Sequence, residues 1–269
     1  MTGSDAEGEN GRLGVLAFGD SITNGGGELQ FGVALQSWAL WVARALGLPF
    51  TGYAVDGATA RDVVAAQIPT FVSRSRACAR YQLGCLYIGV NDVRSVDWNA
   101  AAFKTDFRQA LRFLAERCER VLTMTAPLDL GRPRAGAKVG ELDAVISRVA
   151  GELGALVVDL RDWGARNHVM VDHVHPTAFG QIDIAGRALS VLAADGMPVL
   201  VAPSSLISYS PSRWQRLRAD STYAYRHAKV TGRSVALQAW LALRAGLNSP
   251  ACVAGERRIK RGEDAGVDA

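Results

Sequence analysis

Along the first two-thirds of the chain, short apolar runs alternate with longer segments whose apolar residues recur every three or four positions. The runs fall at residues 13–18, 50–55, 85–90, 121–126 and 156–160. Each is nearly continuous in apolar residues, the pattern of a strand covered on both faces. Between them, 37–46 carries a helical stripe and is stopped by Gly47 and Pro49. Segment 59–71 starts from a threonine able to cap it, and 100–117 and 142–153 follow. The last helical pattern, 176–192, opens with Pro176, whose missing N–H costs nothing in a first turn. This alternation predicts an α/β fold, a parallel sheet clothed by helices on both sides. In such sheets the loops at the carboxyl ends of the strands form the ligand crevice.

Composition sets the scale. With 269 residues, 49% hydrophobic and 21% charged, the chain has enough apolar surface for one substantial core. We expect a flexible N-terminal tail over 1–12, a main domain over 13–202, a basic helical extension over 203–253 and a polar C-terminal tail over 254–269. The extension reads as two helices either side of Gly232. The first residues show no apolar leader, and no run approaches the ~20 apolar residues of a spanning helix, so the expectation is a cytoplasmic protein. Charge is uneven: 203–269 holds 11 Lys and Arg against 5 Asp and Glu, whereas 1–202 holds 19 against 21. A solvated helix face is the ordinary reading of the basic segment, and peripheral contact with an anionic surface is the alternative; no nucleic-acid partner is expected. The apolar stripe Trp214, Leu217 and Tyr225 needs a partner surface, either the main domain or a second copy in an oligomer. Cys78, Cys85, Cys118 and Cys252 lack metal-ligand spacing and read as reduced thiols.

Chemistry gathers at the strand ends. Gly19-Asp20-Ser21 closes the first run, Gly57 follows the second, Gly89-Val90-Asn91-Asp92 the third, and Asp172-His173-Val174-His175-Pro176 the fifth. A serine hydroxyl is a weak nucleophile until a base within hydrogen-bond reach takes its proton. His175 is the expected base for Ser21. Asp172, three residues earlier in the same short loop, can accept from the second ring nitrogen and fix the tautomer. His173 is the rival base. The two histidines would also suit a metal pair, but no carboxylate or cysteine cluster completes such a site, so neither metal nor cofactor is expected. The order Ser, Asp, His is that of α/β-hydrolases, whose nucleophile stands in G-x-S-x-G; here Gly19 and Asp20 directly precede Ser21.

These blocks resemble those of the SGNH hydrolases, the GDSL esterase and lipase family. A Gly-Asp-Ser tripeptide alone arises by chance in roughly one chain in fifteen of this length, whereas all the blocks arise in fewer than about one in ten thousand, so the set decides where the tripeptide does not. The resemblance covers 13 to about 195. It implies a flavodoxin-like three-layer α/β/α sandwich with a central five-stranded parallel sheet ordered 2-1-3-4-5, to which the C-terminal helical extension is added. It also implies a catalytic Ser21, Asp172 and His175, with an oxyanion hole from the backbone N–H groups of Ser21 and Gly57 and the side-chain amide of Asn91. Asp20 and Asp92 are expected to support their loops. The asparagine that many members carry shortly before the glycine is missing from Thr51-Gly52-Tyr53-Ala54-Val55-Asp56-Gly57, so packing beneath Gly57 is expected to differ.

The implied function is a metal-independent serine ester hydrolase, working through an acyl-enzyme on a short- or medium-chain acyl ester of a small alcohol, sugar or lipid. Acyl transfer or thioester cleavage by the same site is the alternative within that chemistry. A non-catalytic binding module using the basic extension is the alternative outside it. Trp38 and Trp41 read as core residues, while Trp98, Trp163 and Met170 are expected at the crevice. Arg132, Arg134 and Lys138 follow the fourth strand and border the same edge, where a solvated loop or an anionic substrate would meet them.

Overall fold

The computed structural model describes residues 13–30, 33–75, 79–130, 135–164, 168–207 and 212–218, with isolated residues beyond as far as 240. The chain divides into two compact units, Met1–Gln215 and Arg216–Ala269. In the first, β1 (Val15–Gly19), β2 (Phe50–Gly52), β3 (Tyr81–Tyr87), β4 (Cys118–Met124) and β5 (Leu156–Val158) form one sheet in the order β2-β1-β3-β4-β5. Every pairing is parallel. This is the expected order, and it makes β1 and β3, the two most deeply buried strands, neighbours.

The helices are α1 (Ser21–Asn24), α2 (Trp38–Ala45), α3 (Ala60–Asp62), α4 (Ile68–Arg74), α5 (Val90–Arg94), α6 (Ala100–Ala115), α7 (Lys138–Leu153) and α8 (Ala178–Ala194), with a π turn, Val63–Gln67, joining α3 to α4. On one face of the sheet α2 packs against α8; on the other, α6 packs against α7 and against the segment from α3 through the π turn. Phe18 of β1 fixes the second face by meeting Phe71 of α4 and Phe113 of α6 edge-on, at 6.0 and 6.1 Å between ring centres. Such pairs add about 0.5–1.5 kcal/mol each beyond the area they bury.

Several boundaries differ from the sequence pattern, for local reasons. The third strand ends at Tyr87 because Gly89 turns the chain at φ 117° and caps α5, so Val90 is helical. Thr59 does cap its helix, and Asp62 answers by accepting from the Thr59 N–H at 2.8 Å, a reciprocal box that satisfies two otherwise orphaned donors. Helix α8 is capped by Thr177, which places Pro176 in the preceding loop, not in the first turn. The one-turn helices α1 and α5 are too short for a periodic pattern to reveal. Trp38 and Trp41 are buried, as expected of core residues. Cys85 and Cys118 are free thiols, and burial pushes Cys118 up to about 12.

In the C-terminal region residues 213–218 are helical, and Trp214 and Leu217 are exposed. Gly232, expected between two helices, is itself helical. Cys78, Arg132, Arg134 and Cys252 lie outside the described residues. Among the described residues no helix is long and apolar enough to cross a membrane.

Candidate active site

Ser21 is the first residue of α1, one residue beyond the end of β1, so its own N–H has no partner within the helix. Asp20 caps that helix, accepting from the Ile22 N–H at 2.9 Å. Gly19 precedes it at φ 154°, and a Cβ there would strike the Tyr87 carbonyl and the Thr23 side chain. Only glycine lets the chain leave the strand this tightly packed and turn the serine outward.

The last loop supplies its partners. His175 Nε2 lies 2.9 Å from Ser21 Oγ, and His175 Nδ1 lies 2.7 Å from Asp172 Oδ2. With Nδ1 donating to the carboxylate, Nε2 is left to accept the serine proton. The other Asp172 oxygen accepts from the N–H groups of Val174 and His175, at 2.9 and 3.0 Å. That convergence follows from the backbone: His173 sits at φ 55°, the only left-handed non-glycine among the described residues, and so folds the turn around the carboxylate. Burial alone would raise the Asp172 carboxyl, but the His175 bond and the two backbone donors outweigh it and hold it below the usual range. The Asp172 hydrogen bond in turn raises the His175 imidazolium above its ordinary value, against the effect of burial. His173, the rival base, faces Asp129 instead, with Nδ1 3.4 Å from its carboxylate.

Gly57 adopts φ 77°, and a Cβ there would meet nothing within 4 Å, so its backbone borders open space. Asn91 donates from Nδ2 to the Ala58 carbonyl at 2.9 Å, which keeps its second N–H available. Its neighbour Asp92 accepts from the Ala60 N–H at 3.1 Å, so two consecutive residues of α5 hold the loop that follows Gly57. Asp56, in the stretch that lacks the expected asparagine, accepts from Asn24 of α1 at 2.9 Å. Val55 N–H also bonds to the Gly19 carbonyl at 3.1 Å. The serine turn and the Gly57 loop are thereby joined directly.

A model of the GDSL-like lipase/acylhydrolase family matches residues 17–181, a span that takes in Ser21, Gly57, Asn91, Asp172 and His175. The chain belongs to this family. It is an SGNH-type carboxylic ester hydrolase. Similar solved structures include a mutant of Axe2, an acetyl-xylooligosaccharide esterase from Geobacillus stearothermophilus, at 21% identity and a TM-score of 0.54, covering 68% of this chain and 95% of that one. LAE5, an α/β hydrolase enzyme from the metagenome of Lake Arreo in Spain, matches at 21% identity and a TM-score of 0.53, covering 70% and 96%. At these identities the likeness shows the fold. No curated protein sequence matches this chain.

Two residues that motif reasoning missed hold the serine turn of this hydrolase at both ends. Gln67, in the π turn, accepts from the Gly19 N–H at 3.1 Å and donates to the Gly19 carbonyl at 2.8 Å. Gln181, on α8, accepts from the Trp38 N–H at 2.8 Å and donates to the carbonyls of Ile22 and Gly26, at 3.0 and 3.2 Å. Both are almost wholly buried. A signal did exist: each glutamine falls within the apolar stripe of its helical segment, Gln67 with Ala60, Val63 and Phe71, and Gln181 with Ala178, Ala185 and Leu189. A polar residue on a core-facing stripe must find a buried partner.

Both tryptophans expected at the crevice have hydrogen-bond partners on helices. Trp163 is buried and donates to Asp183 at 2.9 Å, and Trp98 donates to Glu141 at 2.7 Å. Met170 bonds through its N–H to the His175 carbonyl at 2.8 Å and so braces the histidine loop. Among the described residues no group of three or more His, Cys, Asp or Glu is placed to hold a metal ion.

Proposed function

We propose that this hydrolase cleaves short- or medium-chain acyl esters through an acyl-enzyme on Ser21, with His175 as general base and Asp172 as its orienting partner. The observation that carries this reading is the hydrogen-bonded line from Ser21 through His175 to Asp172, at 2.9 and 2.7 Å. Attack forms a bond between Ser21 Oγ and the ester carbonyl carbon while the hydroxyl proton passes to His175 Nε2. The negative charge that develops on the carbonyl oxygen is met by the N–H groups of Ser21 and Gly57 and by the free N–H of Asn91. Collapse breaks the bond to the leaving alkoxide, which takes the proton from His175. Water then repeats the sequence on the acyl-enzyme, releasing the acid and restoring Ser21.

The alcohol is a small alcohol, a sugar or a lipid, and the acetyl esterases among the similar structures make acetate the first ester to try. The test is turnover of 4-nitrophenyl esters from C2 to C12 together with labelling by a fluorophosphonate. Activity strongest at the short end, with a label that Ser21→Ala eliminates, is the expected result. Ester turnover that survives Ser21→Ala overturns the reading, as does its restoration only by an added metal.

A further inference from the structure

At the edge of the site stands a guanidinium without a counter-charge among the described residues. Arg94 ends α5, three residues after Asn91 and so on the same side of that helix. Its Nε is buried without a hydrogen-bond partner. Four acidic side chains of the surrounding loops and helices are engaged elsewhere: Asp172 by His175, Asp92 by the Ala60 N–H, Asp129 by His173 and Glu141 by Trp98. A second cation adjoins it, since Lys138 at the start of α7 donates from Nζ to the carbonyl of Ser95, the residue after Arg94, at 3.0 Å. This local excess is not background, because residues 1–202 carry more acidic than basic side chains. The Arg94 charge also reaches the site: after the dominant Asp172 hydrogen bond and several other influences, it acts on His175 to disfavour the imidazolium.

An arginine partly withdrawn from water without a counter-charge loses hydration and gains nothing in return. Its planar fork matches a carboxylate, which can accept two parallel N–H bonds. We propose that Arg94, with Lys138 beside it, forms an anion-binding edge of the active site, and that the ester this enzyme hydrolyses carries a carboxylate. The inference rests on the esterase reading and narrows its substrate class. The carboxylate can belong to the acyl group, as in a dicarboxylic monoester, or to the alcohol.

Two matched pairs of esters separate these sources. Mono-4-nitrophenyl adipate against 4-nitrophenyl hexanoate places the charge on the acyl side; 4-acetoxybenzoate against 4-acetoxybenzamide places it on the alcohol side. One pair is expected to show kcat/KM at least about tenfold higher for the charged member at low ionic strength, the scale of a charge-assisted hydrogen bond. Arg94→Gln should bring that ratio close to one, Arg94→Lys should keep part of it, and Lys138→Gln should lower it by a smaller factor. On the wild type alone, raising the salt concentration should shrink the preference, since the cations are partly exposed. Equal turnover of both members in both pairs overturns the proposal, as does a preference indifferent to salt or an Arg94→Gln variant that keeps the wild-type ratio. Neutral esters hydrolysed without preference remove only the anion site. Failure of every ester together with failure of fluorophosphonate labelling removes the esterase reading itself.

Discussion

Gln67 meets the backbone of Gly19 in both directions, accepting from its N–H and donating to its carbonyl. The carbonyl has a second donor in Val55 N–H, whereas the Gly19 N–H depends on Gln67. Gln67→Leu therefore orphans a buried donor, and we expect a loss of about 1–3 kcal/mol in urea denaturation. Because Ser21 stands two residues on, kcat should fall at least about tenfold with a smaller change in KM. Gln67→Glu, which keeps the acceptor, should recover part of the stability. Unaltered stability and kcat in Gln67→Leu would show that the turn holds its shape without the clamp.

The base must be neutral to take a proton, and Asp172 raises the His175 imidazolium. The acid limb of kcat/KM is thus expected above the ordinary histidine value of about 6.5. Asp172→Asn removes the principal cause of the shift, so the limb should move to lower pH while kcat drops by about 10²- to 10⁴-fold through loss of the correct tautomer. A wild-type limb centred below 6.5 contradicts the arrangement.

Asn91 contributes to the proposed mechanism only when charge appears on the carbonyl oxygen. Asn91→Ala should reduce kcat by about 10²- to 10³-fold and leave KM nearly constant. A strongly activated fluorophosphonate should still label this variant, more slowly, whereas Ser21→Ala should take up none. Near wild-type kcat in a folded Asn91→Ala would reduce the residue to a brace for Ala58.

Asp20 carries a penalty of its own. One carboxylate oxygen caps α1, the other is buried without a partner, and burial pushes the group up to about 7. A carboxyl raised in the folded state stabilises the protein fully below its unfolded value of 3.8 and loses that contribution as pH rises to about 7. Asparagine retains the capping oxygen without the charge. The melting temperature of Asp20→Asn should therefore gain on the wild type between pH 4 and 7 and hold a constant lead above. A difference independent of pH would mean that Asp20 does not titrate in this window.

Much of this is legible in the chain because strand ends coincide with chemistry. The run ending at Phe18 announces the strand, and Gly19-Asp20-Ser21 announces the turn; neither depends on distant contacts. The preference for His175 over His173 needs only the spacing to Asp172, whose Oδ2 lies 2.7 Å from His175 Nδ1. What stays hidden depends on tertiary partners. Trp163 reads as a crevice residue until Asp183 of α8 claims its indole N–H, and Gln67 and Gln181 read as ordinary until the backbone groups they satisfy come within reach. Arg94 carries no motif at all; its interest comes from the pairing it lacks among the described residues.

The bond between Ser21 and His175 spans 154 positions of sequence, with β2 to β5 lying between them. Gly27 fits so closely beneath the Pro176 carbonyl that a side chain there would overlap it, and Ala178 N–H is bonded to the Glu28 carbonyl at 2.9 Å. The two halves of the site are therefore sewn together by their own backbones. A chain emerging from the ribosome can complete β1 to β4 and still have no enzyme, because the histidine loop and the helix that anchors it follow all five strands. Recovered activity after denaturation is accordingly a stricter witness of refolding than recovered helix content, since it registers only molecules in which the final loop has closed on the first.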